Sequence, residues 1–210
     1  MKTWKQWIEE RRAASNMSSA ELPLHEAGPW MVICDEEGRP VRVGRADGKF
    51  FSIVASLIAN AGREVQQWTQ LFLKEATKPG EEGVLVLVTD GAGNYLIQAK
   101  ADAGNDTEGR ILLAPTLQSS RSNFEQAHGG TKPPRAELLE GVELNWTLVR
   151  ADGARFWQKR NLFALVVIDP NRVELSANER WFSDEELSEA LREGDVNELL
   201  AHAWLVALKA

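Results

Sequence analysis

YLIQAKADAGNDTEGRILLAPTLQSSRSNFEQAHGG, residues 95–130, predicts a strand, a turn, a second strand and a short polar helix. Side chains alternate along 95–100 with the period of two that is typical of a strand, and residues 103–106 have the composition of a turn. A second apolar run ends at Pro115, and hydrogen-bonding side chains crowd residues 116–123 before His128 and two glycines. This density of polar groups after an apolar strand indicates a site for a polyhydroxylated, anionic ligand.

On the N-terminal side of this stretch, the chain predicts one helix and then strands. Trp4, Trp7 and Ile8 share a face of a helix over residues 3–14, and residues 15–29 have linker composition. The segment 62–75 fits either a helix or an extended strand by its spacing. The continuous apolar run 84–88 is typical of a buried strand.

On the C-terminal side, the pattern returns to helix. Ser183 and Glu186 form a capping box for a helix over 184–192, and Asp195 with Glu198 repeats the device for a last helix. Strands in the middle with helices at both ends predict an α+β sandwich of sheet and helices. We divide the chain into an N-terminal helix and linker, residues 1–28, and a single domain, residues 29–210.

Composition excludes several classes of protein. A net charge of −7 argues against general nucleic-acid binding, and a single cysteine, Cys34, excludes an internal disulfide and a multi-cysteine metal site. No apolar run approaches the roughly 20 residues of a membrane span. The first twelve residues lack the apolar core of a signal peptide, so we predict a cytoplasmic protein that does not bind a membrane.

Three segments carry a resemblance to a known family. AKADAGN at 99–105, APTLQSSRSNFEQAHGG at 114–130 and GARFWQKRN at 153–161 resemble signature segments of the NDP-hexose 2,3-dehydratases, which act on nucleotide-linked 4-keto-6-deoxy sugars in deoxysugar biosynthesis. The resemblance extends to 48–68 and covers roughly residue 48 to the C-terminus. It implies a Nudix-hydrolase-like fold and modules that usually occur in tandem, of which this chain has one. At Asp102 and Ala103 the family usually has Glu and Pro.

The resemblance also implies roles for the polar residues of these segments. His128 is the leading acid/base candidate and Lys159 the second, while Gln98 and Asn123 would contact sugar oxygens. The cations and hydroxyl expected to hold a diphosphate are Arg121, Ser122, Arg155 and Arg160. The remaining candidate substrate-binding residues are Trp68, Lys100, Thr116, Gln118, Gln158 and Asn161. Read without the resemblance, the same residues also fit a helix N-cap, a solvated positive face and, for His128, a helix C-cap.

The sequence therefore predicts a lyase that eliminates water across carbons 2 and 3 of an NDP-4-keto-6-deoxyhexose, in particular a dTDP-linked one. Without GxGxxG, a P-loop or the acidic metal-binding helix of Nudix hydrolases, we expect no cofactor and no metal, and metal-dependent pyrophosphatase chemistry is disfavoured. The alternative is a non-catalytic nucleotide-sugar-binding module or a subunit of a larger complex. Expected partners are a downstream 3-ketoreductase and a second copy of the chain.

For this homodimer, the sequence offers apolar side chains near both ends of the chain. They are Trp4, Trp7 and Ile8 at one end and Trp204, Leu205 and Val206 at the other, of which Leu205 and Val206 lie off the core stripe of their helix. The alternative is that both helices cap the domain's own sheet. A closed two-fold pair is the commonest soluble oligomer.

Overall fold

The computed structural model describes residues 2–59, 62, 64–75, 81–139 and 144–208. Within these ranges the α+β class is confirmed, since the chain forms two β-sheets and four α-helices. The helices are α1 (Trp4–Ala14), α2 (Arg121–Phe124), α3 (Asp184–Glu193) and α4 (Glu198–Ala207). No helix in the described ranges is long and apolar enough to cross a membrane. The Nudix-like arrangement stays a prediction.

The first sheet is an antiparallel meander of the first four strands in chain order. Its strands are β1 (Trp30–Cys34), β2 (Pro40–Arg45), β3 (Phe51–Ala59) and β4 (Gln67–Glu75). Of the segment 62–75, which fitted either helix or strand, residues 67–75 form the extended strand β4. β4 pairs with β3 from Phe51 opposite Glu75 to Ala59 opposite Gln67. Pairing along the whole of β3 satisfies the backbone of β4, which overrides the helical spacing of its apolar residues.

The second sheet has the order β11-β6-β5-β10-β9, with β7 paired to β6 and β8 paired to β5. Its strands are β5 (Gly83–Thr89), β6 (Asn94–Ala101), β7 (Ile111–Ala114), β8 (Leu117–Ser119), β9 (Thr147–Arg150), β10 (Arg160–Val167) and β11 (Glu179–Ser183). The pairing of β5 with β10 is parallel and the other pairings are antiparallel.

A fork in the second sheet brings β8, whose Gln118 and Ser119 line the candidate site, alongside β5. β5 and β6 pair only at Val88 with Leu96 and at Thr89 with Tyr95, and beyond this point they diverge. β7 and β8 fill the gap, each paired to one arm of the fork. The fork therefore carries the chain after Pro115 away from β6 and along β5.

The core lies on both faces of the second sheet. One face packs against α1, α3 and α4 through side chains that include Leu87, Ile97 and Phe182. The other face buries Val86 and Val88 under the turn Ala136–Leu139. Alternate residues of β5 thus enter two apolar layers, which confirms the prediction of a buried strand.

The N-terminal helix packs into this core. Thr3 and Gln6 form a capping box at its start, and Trp4 and Ile8 are buried among side chains that include Phe182. Trp204 is also buried, and its indole N–H donates to Asp184 Oδ1 at 3.0 Å. Trp4, Ile8 and Trp204 are therefore not available as a dimer surface, and the use predicted for them was wrong.

The helix caps follow the sequence at one position and depart from it at another. Ser183 and Glu186 form the predicted capping box of α3. For α4 the predicted cap was wrong, because Asn197 accepts from Leu200 N at 2.8 Å while Asp195 forms an ion pair with Arg12. Asp195 lies too far before the helix to reach its first free N–H groups.

Candidate active site

A cavity of about 720 Å³, the main cavity, lies where β8, α2, the loop before β10 and the first turns of α4 meet. Half of the side chains predicted for the site line it. They are Lys100, Gln118, Asn123, His128, Arg155, Lys159 and Asn161. Three signature segments that are separate in sequence thus contribute to one cavity.

Lys159 is held at the wall of the cavity by residues of the first sheet. It forms an ion pair with Glu75, and its Nζ lies 5.2 Å from the centre of the Phe51 ring. The side chains of Lys159 and Glu75 are only 10% and 4% exposed. Lys159 Nζ donates to Glu75 Oε2, so the side chain is arranged as a hydrogen-bond donor.

Asn161 offers an amide to the cavity from the start of β10. It pairs in register with Gly83 of β5, where a Cβ atom would come within 2.7 Å of Asn161 Oδ1. Asn161 is only 5% exposed, and its side chain makes no hydrogen bond to any other described residue. Because buried amides normally have partners, this side chain fits a ligand contact.

His128 follows α2 and is oriented by its own loop. The backbone N–H of Gly130 donates to His128 Nδ1 at 2.8 Å. Since Nδ1 is an acceptor there, the neutral ring carries its proton on Nε2. His128 in this arrangement can donate through Nε2, and it can accept a proton at Nε2 only after giving up the bond to Gly130.

Gln118 joins the central stretch to the last helix. Its Oε1 accepts from Asn197 Nδ2 at 2.8 Å, and Asn197 is the residue that caps α4. Through this contact β8 fixes the first turns of α4 against the cavity. Glu198 and His202, four residues apart on that helix, line the same cavity.

An ion pair between Arg135 and Glu179, the clamp, holds the end of the loop whose Pro133 and Pro134 line the main cavity. The guanidinium of Arg135 contacts both carboxylate oxygens of Glu179 at 2.7 Å. Burial disfavours the charge of Glu179, but the hydrogen bonds from Arg135 and from the N–H of Ser176 outweigh it and hold the pKa of Glu179 below its ordinary value. The clamp is therefore fully formed at neutral pH.

Two of the predicted residues serve the fork and do not line the main cavity. Thr116 is buried, accepts from Val88 N at 2.9 Å and donates to the carbonyl of Leu96, so that it bridges the two arms where they separate. Gln98 is also buried, and its amide donates to the carbonyl of Pro115 at 2.7 Å. The hydroxyl of Thr116 and the amide nitrogen of Gln98 are thus used within the protein.

The other predicted residues lie outside the main cavity for separate reasons. Arg121 pairs with Glu125 at 2.7 Å, and Ser122 adjoins it on α2. Trp68 donates to Gln70 at 3.1 Å on β4. Gln158 and Arg160 line a second cavity, of about 640 Å³, where Arg160 pairs with Glu82 at 2.7 Å.

The four-residue length of α2 also changes how an anion would bind. Ser120 caps α2 by accepting from Asn123 N at 3.3 Å. A helix this short sums few peptide dipoles, so the predicted attraction of a diphosphate to its N-terminus is weak. Arg155, which lines the main cavity and forms no ion pair with any described residue, is the better partner for a phosphate.

Residues 1–206 match the family model described as NDP-hexose 2,3-dehydratase. The chain belongs to the NDP-hexose 2,3-dehydratase family. Among curated proteins it is similar to the dTDP-4-dehydro-6-deoxy-alpha-D-glucopyranose 2,3-dehydratase of Saccharopolyspora spinosa, with 26% identity over 96% of this chain and 41% of the relative. It is also similar to the protein of the same description from Amycolatopsis orientalis, with 26% identity over 96% of this chain and 43% of the relative. The protein of the same description from Streptomyces violaceoruber is 31% identical over 60% of this chain and 27% of its own length.

This member of the family spans less than half the length of the curated relatives that it matches. The family match begins at residue 1, whereas the resemblance seen in the sequence alone began near residue 48. The additional region contains α1, β1 and β2, whose patterns are those of any helix and hairpin. Such patterns do not by themselves identify a family, although the two relatives that cover 96% of this chain are similar across this region as well.

Several cavity residues of this family member were missed by reasoning from sequence. They are Phe51, Asp152, Phe156, Glu198 and His202. Glu198 and His202 had a detectable signal, because they lie one helical turn apart on α4 and away from its apolar stripe. Phe51 had none, since its place depends on the register between β3 and β4. Among the described residues, no three His, Cys, Asp or Glu side chains are grouped to hold a metal ion.

Proposed function

We propose that this chain carries the site for eliminating water across carbons 2 and 3 of a dTDP-linked 4-keto-6-deoxyhexose. The observation that carries the proposal is the convergence of His128, Lys159 and Asn161 on one cavity in a member of this family. The relatives are described as dehydratases of dTDP-4-dehydro-6-deoxyglucose, and their description gives the substrate to be tested first.

The chemistry needs a base, an acid and a donor to the ketone oxygen. The 4-keto group acidifies the proton on carbon 3, a base removes that proton, and the carbon 2 hydroxyl leaves as water after gaining a proton. The product is an enol conjugated to the ketone, so no electrons are exchanged with a cofactor. Negative charge develops on the oxygen of carbon 4 and requires a donor.

The geometry refines the roles of the two leading candidates. Lys159 is paired with a carboxylate and donates from its ammonium to the oxygen on carbon 4. While Gly130 occupies Nδ1, His128 donates a hydrogen bond from Nε2 to the carbon 2 hydroxyl. When Nδ1 releases Gly130 and takes up a proton, the resulting imidazolium protonates the departing hydroxyl from Nε2 and returns to the neutral ring. Asn161 and Asn123 bind sugar oxygens from the cavity wall.

Because Lys159 and His128 both act as donors, the base that removes the carbon 3 proton must be another group of the main cavity. Glu198 and His202 line the main cavity, and their side chains make no hydrogen bond to any other described residue. Asp102 is paired with Lys100, and Asp152 accepts from Ala154 N at 2.8 Å. We assign the removal of the carbon 3 proton to the pair of Glu198 and His202. Comparing the turnover of Glu198→Gln with that of His202→Asn would show which of the two residues is the base.

The direct test is incubation with dTDP-4-keto-6-deoxyglucose followed by mass spectrometry. We expect a product that is lighter by one water, formed by the wild type and lost in a variant with both His128→Ala and Lys159→Met. A wild type that binds the nucleotide sugar by calorimetry without releasing water would exclude the proposed activity. That result would support the second candidate function, a nucleotide-sugar-binding module, which the departures at Asp102 and Ala103 favour.

Two proposals concern partners. The labile product calls for a ketoreductase that acts next on carbon 3. We also propose that a second copy of this chain covers the exposed apolar residues of the first sheet, of which Ile53, Leu57 and Leu71 are 38%, 62% and 66% exposed. Light scattering at micromolar concentration tests the pairing, and a monomer mass with and without ligand would count against it.

A further inference from the structure

Glu75 lies outside all the segments that carry the family resemblance, and nothing in its sequence context marks it. It ends β4 and lies directly opposite Phe51 on β3. Both residues contact Lys159, one through its carboxylate and the other through its ring. The first sheet therefore supplies two residues, Glu75 and Phe51, that hold the Lys159 side chain at the main cavity; we call these two residues the holder.

The backbone keeps this holder in register with the loop that precedes Lys159. The N–H of Leu73 donates to the carbonyl of Arg155, and the N–H of Trp157 donates to the carbonyl of Leu73, both at 2.9 Å. Gln158, immediately before Lys159, has a left-handed backbone with φ of 52°. A non-glycine residue in this region is uncommon, and the bend lies immediately before Lys159.

One oxygen of the Glu75 carboxylate lacks a hydrogen-bond partner, which is unusual for a buried ion pair that serves stability alone. Its Oε1 is buried and has no hydrogen-bond partner, while Oε2 binds Lys159. By contrast, both oxygens of the buried Glu179 accept hydrogen bonds from Arg135, and one also accepts from Ser176 N. An unsatisfied buried carboxylate oxygen is costly, and its retention requires a reason.

We propose that Glu75 is a positioning residue that fixes the ammonium of Lys159 at the wall of the main cavity. This inference rests on the proposed function, in which Lys159 donates to the oxygen on carbon 4. Lys159 lines the main cavity, whereas Glu75 lines the second cavity, which Lys159 also borders. On a substrate in the main cavity, Glu75 therefore acts through Lys159. The carboxylate and the Phe51 ring hold the ammonium from two sides and leave its remaining N–H groups for the substrate.

Glu75→Gln tests this inference, because the amide keeps the volume of the side chain and removes its charge. We expect kcat to fall by about 10²-fold, the scale of a misplaced catalytic group, with KM nearly unchanged. We also expect Lys159 to react faster with an amine-directed reagent, measured by mass spectrometry on the protein without ligand. That second measurement requires no turnover.

Asp195→Asn is the matched control. Asp195 pairs with Arg12, and the two side chains are 17% and 10% exposed, so the variant removes a carboxylate from a comparably buried ion pair away from Lys159. We expect both variants to lower the melting temperature, and only Glu75→Gln to change kcat and the labelling of Lys159. Equal effects of the two variants on kcat would show a loss of stability alone and would overturn the inference.

A double variant tests whether Glu75 acts through Lys159. In a Lys159→Met background, adding Glu75→Gln should leave the residual kcat unchanged, because the group that Glu75 positions is gone. A further decrease would overturn the inference. If the wild type turns over no substrate, the proposed function fails separately, and calorimetry with the nucleotide sugar replaces kcat. Unchanged affinity and unchanged labelling in Glu75→Gln would then reject the positioning role.

Discussion

The fork and the main cavity contain polar residues that look alike in the sequence and differ in their hydrogen bonds. Thr116 at the fork accepts from one strand and donates to the other, and at 1% exposure its hydroxyl is closed to a ligand. Asn161 at the cavity is almost equally buried, but its amide makes no hydrogen bond to a described residue. The comparison teaches that the partners of a polar side chain, rather than its type or burial, separate a structural role from a binding role.

The strongest test of the comparison is His128→Ala at the cavity. If His128 transfers a proton, turnover should fall by roughly 10²–10⁴-fold while affinity for the nucleotide sugar stays near that of the wild type. Steady-state kinetics with calorimetry measures both quantities. Full activity in the variant would show that another group of the cavity protonates the departing hydroxyl.

Thr116→Val tests the fork. The methyl group keeps the shape of the side chain, but it leaves the N–H of Val88 and the carbonyl of Leu96 unbonded inside the protein. We expect the free energy of unfolding to fall by about 2–4 kcal/mol, measured by urea denaturation. Ligand affinity at a temperature where the variant is folded should be unchanged. A loss of affinity without a loss of stability would return Thr116 to the binding site.

Arg155→Ala and Arg121→Ala form a matched pair of arginine deletions. Arg155 lines the cavity without an ion pair to any described residue, whereas Arg121 pairs with Glu125 outside it. Removing Arg155 should weaken nucleotide-sugar binding by about 1.5–3 kcal/mol, because a charged hydrogen bond to phosphate is lost. Removing Arg121 should change it little. Calorimetry that finds equal losses would contradict the separation of the two residues.

The smallest expected effect concerns the clamp between Arg135 and Glu179. The pKa of Glu179 is lowered in the folded protein, so its contribution to stability is complete above its ordinary value of 4.5 and is lost as pH falls through the lower, folded value. Denaturation at a series of acidic pH values should show a shallower decline of stability in Glu179→Gln than in the wild type. Parallel curves would assign the acid sensitivity to other carboxylates.

Local patterns of sequence were sufficient for part of the fold. Ser183 and Glu186 were recognised as a capping box because the residues that form it are three positions apart. The fork could not be predicted, since β6 pairs with β5 at one end and with β7 at the other, and this choice depends on the whole sheet. Strand pairing over long distances competes with local preference, and a single sequence carries little information about the outcome.

The candidate site, like the fold, could be predicted only in part from the sequence. The resemblance found the segments that meet at the cavity, but it could not tell which cations are neutralised. The partner of Arg121 is four residues away on a helix and could have been read from the spacing. The partners of Lys159 and Arg160 are Glu75 and Glu82, which arrive from β4 and from the start of β5. Such pairs are known only when the tertiary structure is known.

The parallel pairing of β5 with β10 has a consequence for the order of folding. Val84 pairs with Leu162, and the chain between them contains the fork, α2 and the loop that carries Arg155. Because the entropy of closing so long a loop must be offset before these two strands gain their contacts, β10 should join the sheet late. During synthesis, the hairpin of β5 and β6 emerges well before Lys159 and Asn161. The pocket is thus completed only when nearly the whole chain is available, and ligand binding by nascent chains of increasing length would report that step.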